Sequence, residues 1–197
     1  SGQKRQMTTL KGNVYAFEPT HYAFAKLKKN LELNPELSKH ICSIKTFISS
    51  KTAINPKLKA FSSWSIEHNK KVYKHPIHGG IKKSTDGVGS ITLDDFCDKN
   101  KIRKVDFIKI DTDGHELEVL YGSKKLIAKF KPKIVFEAGI YVINENNINF
   151  SQYLDYFALC NYKLINTKNW KIINIDNYLQ HIPLYGTIDI LAIPLTT

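Results

Sequence analysis

The stretch "KIDTDGHELEVLYG", residues 109–122, decides how this chain is read. An apolar run from Val105 to Ile110 leads into it and ends in Asp111, Asp113, His115 and Glu116 within six positions. The segment "KVDFIKI" (104–110) is apolar on both faces at its core, which suits a buried parallel strand. Beyond the acids, Leu117, Leu120, Lys124 and Ile127 fall along one line and predict a helix from His115 to about Phe130. A strand passing straight into a helix belongs to an α/β sheet, where ligands sit outside the carboxyl ends of the strands.

The rest of the chain keeps that rhythm. "NVYAFEP" (13–19) is a short strand stopped by Pro19, and "THYAFAKLKKNLELNP" (20–35) is a helix that Thr20 can cap and Asn34-Pro35 ends. "HICSIKTFISS" (40–50) reads as a second strand, and residues 51–91 as loops and short strands around His-Pro, Gly-Gly and Asp-Gly turns. Thr92 and Asp95 open a short helix with T-x-x-D capping spacing. "KIVFEAG" (133–139) is a strand, "NFSQYLDYFALCNY" (149–162) a helix, and "YKLINT" and "TIDILAIP" two late strands joined near Trp170. No internal repeat or linker divides the 197 residues, so a single domain over 1–197 is expected.

Glu18, Asp111 and Glu137 each end an apolar run, which places three acids at one sheet edge. Asp113 and Glu116 have D-x-x-E spacing at a helix start, and a capping box accounts for both; Gly114 lets the backbone turn there. Asp111 precedes that cap and still needs a partner, so it is the first candidate for a site role. An acid ending the second strand of a nucleotide-binding unit holds ribose hydroxyls, which suits Glu18.

Composition narrows the classes. The hydrophobic fraction is 42% and no apolar stretch nears the ~18 residues of a bilayer span, so a soluble, cytoplasmic protein is expected. Cys42, Cys97 and Cys160 are odd in number and form no CxxC, which points to reduced thiols. The net charge of +11 rests almost wholly on lysine, with Arg5 and Arg103 the only arginines, so a lysine-solvated surface is favoured over a polyanion reader. No metal is expected. Asp111 with Asp113 offers hard oxygen ligands for Mg²⁺, but a cap and a loop explain two such acids, and His75 with His78 lacks further ligands for zinc.

Taken together, "VYAFEP", "TLDDF", "VDFIKIDTDGHELEVLYG" and "PKIVFEAG" resemble the FkbM family of S-adenosylmethionine-dependent methyltransferases, from about Gly12 to Gly139 with a compatible ending at "IDILAIP". The resemblance implies a Rossmann-like class I methyltransferase sheet, mostly parallel with an antiparallel last strand and helices on both faces. It implies S-adenosyl-L-methionine as cofactor and a hydroxyl-bearing acceptor, a sugar or glycan. Carried over, Glu18 binds the cofactor ribose between Phe17 and Pro19, and Ser49 and Ser50 face the adenine. Asp111 lies at the cofactor and is the leading general base or acceptor-orienting residue, with His115 and Glu137 as further catalytic candidates. The family's glycine-rich turn after a first, central strand departs from this sequence: Gly2 is its one plausible survivor, before a helix "QKRQMTTLK", and the strand itself is expected upstream or missing. The competing readings are an RNA methyltransferase, which predicts steeply salt-dependent binding, and a catalytically inert domain of the same fold.

Overall fold

The computed structural model describes residues 12–54, 56, 58, 60–62, 81–145 and 147–195. Gly2, the helix expected over 3–11, and the His75/His78 pair lie outside them. In chain order the elements are β1 (Val14–Phe17), α1 (His21–Glu32), α2 (Pro35–Ser38), β2 (Ile41–Ile44), β3 (Phe47–Ile48), β4 (Ala60–Ser62), β5 (Ile81–Lys83) and β6 (Ser90–Ile91). They continue with α3 (Leu93–Lys99), β7 (Phe107–Ile110), α4 (Glu116–Tyr121), α5 (Lys124–Phe130), β8 (Lys133–Ala138) and α6 (Ile140–Glu145). The last are α7 (Phe150–Leu159), β9 (Tyr162–Asn166), β10 (Ile172–Ile173), α8 (Tyr178–His181) and β11 (Ile188–Pro194).

Five strands form the main sheet, in the order β10-β9-β11-β8-β7. β7 and β8 are parallel, with Ile108 opposite Ile134 and Ile110 opposite Phe136. β11 inserts between β8 and β9 and runs against both, so the last strand is antiparallel as expected. The Trp170 turn, with φ of 60° at that residue, folds β10 back onto β9 rather than joining β9 to β11. β1 pairs in parallel with β2 as a separate ribbon, and no described strand pairs with the other edge of β1 or of β7.

Strand alternation sorts the sheet's two faces. Ile134, Phe136, Ile190 and Ala192 are fully buried on one, where Phe136 stacks on Tyr153 and Phe157 of α7 at 5.6 and 5.3 Å. Removing such side chains from water contributes ~1.5–3 kcal/mol each, which makes this helical layer the core. On the other face Val135 and Leu191 are only half-buried and Phe107 is exposed.

Local hydrogen bonds set the helix starts. Thr20 accepts from Ala23 N at 3.1 Å and Thr92 from Asp95 N at 2.9 Å, the two caps read from the sequence. Asn149 and Gln152 complete a reciprocal capping box on α7. Asp94 of α3 reaches across to accept from Lys125 N and Leu126 N, so one acidic side chain caps the start of α5 from another helix.

Two elements are shorter than expected. The helix expected over 115–130 breaks into α4 and α5 at Gly122-Ser123, where Ser123 Oγ donates to the Val119 and Leu120 carbonyls. Lys124 turns out to solvent over the Tyr121 ring while Leu117, Leu120 and Ile127 stay buried. The strand expected over 40–50 splits into β2 and β3, because Phe47 and Ile48 pair with Ser90 and Ile91 of β6 instead of continuing along β1.

The break at Gly122 is also a close approach: a Cβ there would sit 2.1 Å from the Ser49 carbonyl oxygen. Gly122→Ala therefore forces α4 off the 49–50 segment and costs roughly 1–3 kcal/mol in urea-induced unfolding. An unchanged midpoint would mean that this approach does not constrain the fold.

Candidate active site

The loop after β7 is organised by Glu116. Its side chain is only 3% exposed, and its Oε1 accepts from Thr112 N at 2.9 Å, Thr112 Oγ1 at 3.0 Å and Gly114 N at 3.2 Å. A buried carboxylate needs such donors. The capping box expected of Asp113 and Glu116 is therefore not what forms: the helix is preceded by His115, which makes no side-chain cap, and Glu116 reaches back instead. The tether holds Asp113 at φ 51° and Gly114 at φ 97°, a left-handed pair that turns the chain from strand to helix.

That turn releases the Asp113 carboxylate toward a small cleft shared with Glu137, Tyr141 and Thr187. The cleft measures about 20 Å³, room for a single water or hydroxyl. Burial pushes the Asp113 carboxyl up to about 6, and the negative charges of Asp111, Glu116, Glu137 and Glu18 push it the same way. The influence of Glu18 matters for topology. It puts the end of β1, in a separate ribbon, within electrostatic reach of the ends of β7 and β8.

The neighbouring acids are each engaged. Glu137 Oε1 accepts from Thr187 Oγ1 at 2.6 Å. Burial raises its carboxyl, Thr187 opposes that, and Asp111 adds to it. Asp111 is exposed and lies 3.5 Å from Lys109 Nζ, which also contacts Asp189 at 2.8 Å. Burial would lower the Lys109 ammonium, but Asp189 and Asp111 outweigh it and hold it above its ordinary value. Glu18 Oε1 accepts from both Thr20 N and Thr20 Oγ1, at 2.7 and 2.6 Å, and no described residue donates to Oε2.

The expected site residues thus separate. Glu18, Asp111 and Glu137 come to one rim, joined by Asp113. His115 sits before α4 and does not line the cleft. Phe17 turns its ring onto Phe96 at 4.9 Å, and Pro19 is half-buried beside Glu18. Ser50 donates to Glu118 and Ser49 is buried against Gly122, so both join β3 to α4 instead of ending the strand beside β1. Thr187, Tyr141 and the Lys109–Asp189 pair were missed. Thr187 was findable once the last strand is antiparallel, because the start of β11 then lies beside the carboxyl end of β8, with Ile188 opposite Ala138.

The donor set suits a cationic, hydroxyl-bearing ligand. Glu18 has a spare oxygen for a diol, and the rim carries more negative than positive charge. Among the described residues no His, Cys, Asp or Glu cluster is arranged to hold a metal ion, and no helix is long and apolar enough to cross a membrane.

Known proteins resemble this chain in sequence and in fold. The Methyltransferase FkbM domain matches residues 5–164. Hexuronic acid methyltransferase AglP of Haloferax volcanii is 29% identical over 134 residues, covering 66% of this chain and 49% of that protein. The chain thus spans about half the length of this curated relative. The crystal structure of methyltransferase FkbM from Methylobacillus flagellatus KT superposes with a TM-score of 0.51 at 16% identity, over 91% of this chain and 36% of that one, a likeness of fold.

The crowding at Asp113 has a consequence for stability. An aspartate at 3.8 when unfolded and about 6 when folded binds more protons in the native state between those values, so stability falls as pH rises through that window. Asp113→Asn removes the strain and should stabilise the protein at pH 7.5 by roughly 1–2 kcal/mol after solvent screening, with no gain at pH 3.5. Thermal unfolding at both pH values checks this; a pH-independent difference would contradict the crowding.

Proposed function

The chain belongs to the FkbM methyltransferase family, and from that premise we propose that it transfers a methyl group from S-adenosyl-L-methionine to a hydroxyl of a carbohydrate. The observation that carries the reading is the convergence of Glu18, Asp111, Asp113 and Glu137, from the ends of three strands, where the Glu18 and Asp111 charges both act on Asp113. Such a rim favours a positively charged donor and disfavours a neutral or anionic one. When bound, the cofactor supplies an electrophilic methyl on a sulfonium centre. Glu18 binds the ribose diol through its free oxygen while Thr20 fixes the other. Asp111, Asp113 and Glu137 face the donor's charge and the incoming hydroxyl. Their alignment replaces a bimolecular encounter, an effect that supplies up to ~7–11 kcal/mol of rate enhancement when geometry is right.

The carbohydrate acceptor is supported by AglP, whose name assigns it a hexuronic acid substrate. It is supported too by the cleft between Asp113 and Glu137, whose carboxylates can accept from a hydroxyl.

The experiment is a binding titration followed by a transfer assay. Glu18→Ala should weaken S-adenosyl-L-methionine binding by about 10- to 100-fold in calorimetry, since hydrogen bonds to a charged group contribute ~1.5–3 kcal/mol. Transfer of labelled methyl from the donor to uronic-acid oligosaccharides, and not to RNA, is the expected second result. Absence of donor binding by the unaltered protein would remove the transferase reading.

A further inference from the structure

One acid of the rim has no hydrogen bond or ion pair from any described residue. Glu116 is bound by three donors of its own loop, Glu137 by Thr187, and Asp111 by Lys109. Asp113 is different. No described residue donates a hydrogen bond to its carboxylate, although it is half-buried and lines the hydroxyl-sized cleft with Glu137 and Tyr141. The Glu116 tether fixes the backbone on both sides of it, so the side chain is aimed without being bonded.

Resting on the proposed methyl transfer, we infer that Asp113, and not Asp111, is the catalytic base that takes the proton of the acceptor hydroxyl. The acceptor oxygen forms its bond to the methyl carbon as the carbon–sulfur bond breaks and that electron pair stays on sulfur. The hydroxyl proton passes to an Asp113 carboxylate oxygen. Glu137, held by Thr187, lies across the cleft to orient the same hydroxyl. Asp111 is left to balance Lys109 and the donor's positive charge.

The chemistry favours this division. A general base works best with its pKa near the working pH, and Asp113 at about 6 is a stronger base than an ordinary aspartate yet largely ionised at neutrality. The groups facing it are Asp111, Glu116, Glu137 and Glu18, all anionic, with Tyr141 from α6, while Lys109 is paired with Asp111 and Asp189. Asp111 is exposed, paired with Lys109 and absent from the lining of the cleft.

Asp113→Asn is the decisive variant, because asparagine tolerates the left-handed backbone better than other side chains and keeps the fold. Turnover at saturating donor should fall ~10²–10⁴-fold, far beyond the ~10-fold loss of calorimetric donor affinity that removing one rim charge brings. The acidic limb of the unaltered enzyme's kcat/KM profile for the donor, which reports the free protein, should lie near 6. Asp111→Asn should weaken donor binding while losing less turnover at saturating donor than Asp113→Asn. Independently of turnover, ¹³C NMR of the cofactor-free protein should show the Asp113 carboxyl titrating near 6. Full activity in Asp113→Asn, an equal loss in Asp111→Asn, or an Asp113 midpoint near 4 would each overturn the assignment. An unaltered protein that transfers no methyl group would count against the transferase reading, and the NMR midpoint would still decide the state of Asp113.

Discussion

A carboxylate excluded from water must be surrounded by donors, and Glu116 finds three of them in the loop that follows β7. Each bond to a charged group contributes ~1.5–3 kcal/mol, and losing the acceptor would orphan buried backbone donors as well. The bonds also impose shape. They pull Thr112 and Gly114 toward the first turn of α4, which leaves Asp113 in a left-handed conformation that few side chains adopt without compensation. The site is thus set by a side chain that takes no part in the proposed chemistry.

That geometry concentrates like charge. Glu18, Asp111, Asp113 and Glu137 descend from strands in two separate sheets, yet they share one electrostatic field. Crowded carboxylates oppose folding, and the protein offsets the repulsion with Lys109, Thr187 and Thr20 at three of them. The remaining imbalance sits on Asp113. A cationic ligand would relieve it, so the same crowding that weakens the empty fold strengthens binding of a sulfonium donor.

Much of this was legible in the amino-acid sequence because it depends on local pattern. The β7–α4 junction and the strands β7, β8 and β11 follow from apolar runs and their endings, and Thr20 and Thr92 cap the helices that follow them. The antiparallel sense of β11 follows from the family resemblance, whereas β7, expected to be buried, leaves Phe107 exposed. What was not legible depends on contacts between distant segments. The break at Gly122 comes from the Ser49 carbonyl, the split of β2 from β3 comes from β6, and both are set by residues remote in sequence. The spacing of Asp113 and Glu116 fits a capping box equally well as a loop tether. Only the direction of the Glu116 side chain distinguishes them.

If a positive donor is held among these carboxylates, proton linkage measures it most directly. Binding of S-adenosyl-L-methionine at pH 6 should be titrated calorimetrically in two buffers of different ionisation enthalpy. A cation seated on the rim lowers the Asp113 carboxyl, so binding should release up to about half a proton per site. Binding with no proton exchanged at that pH would place the donor's charge away from the rim and contradict the account.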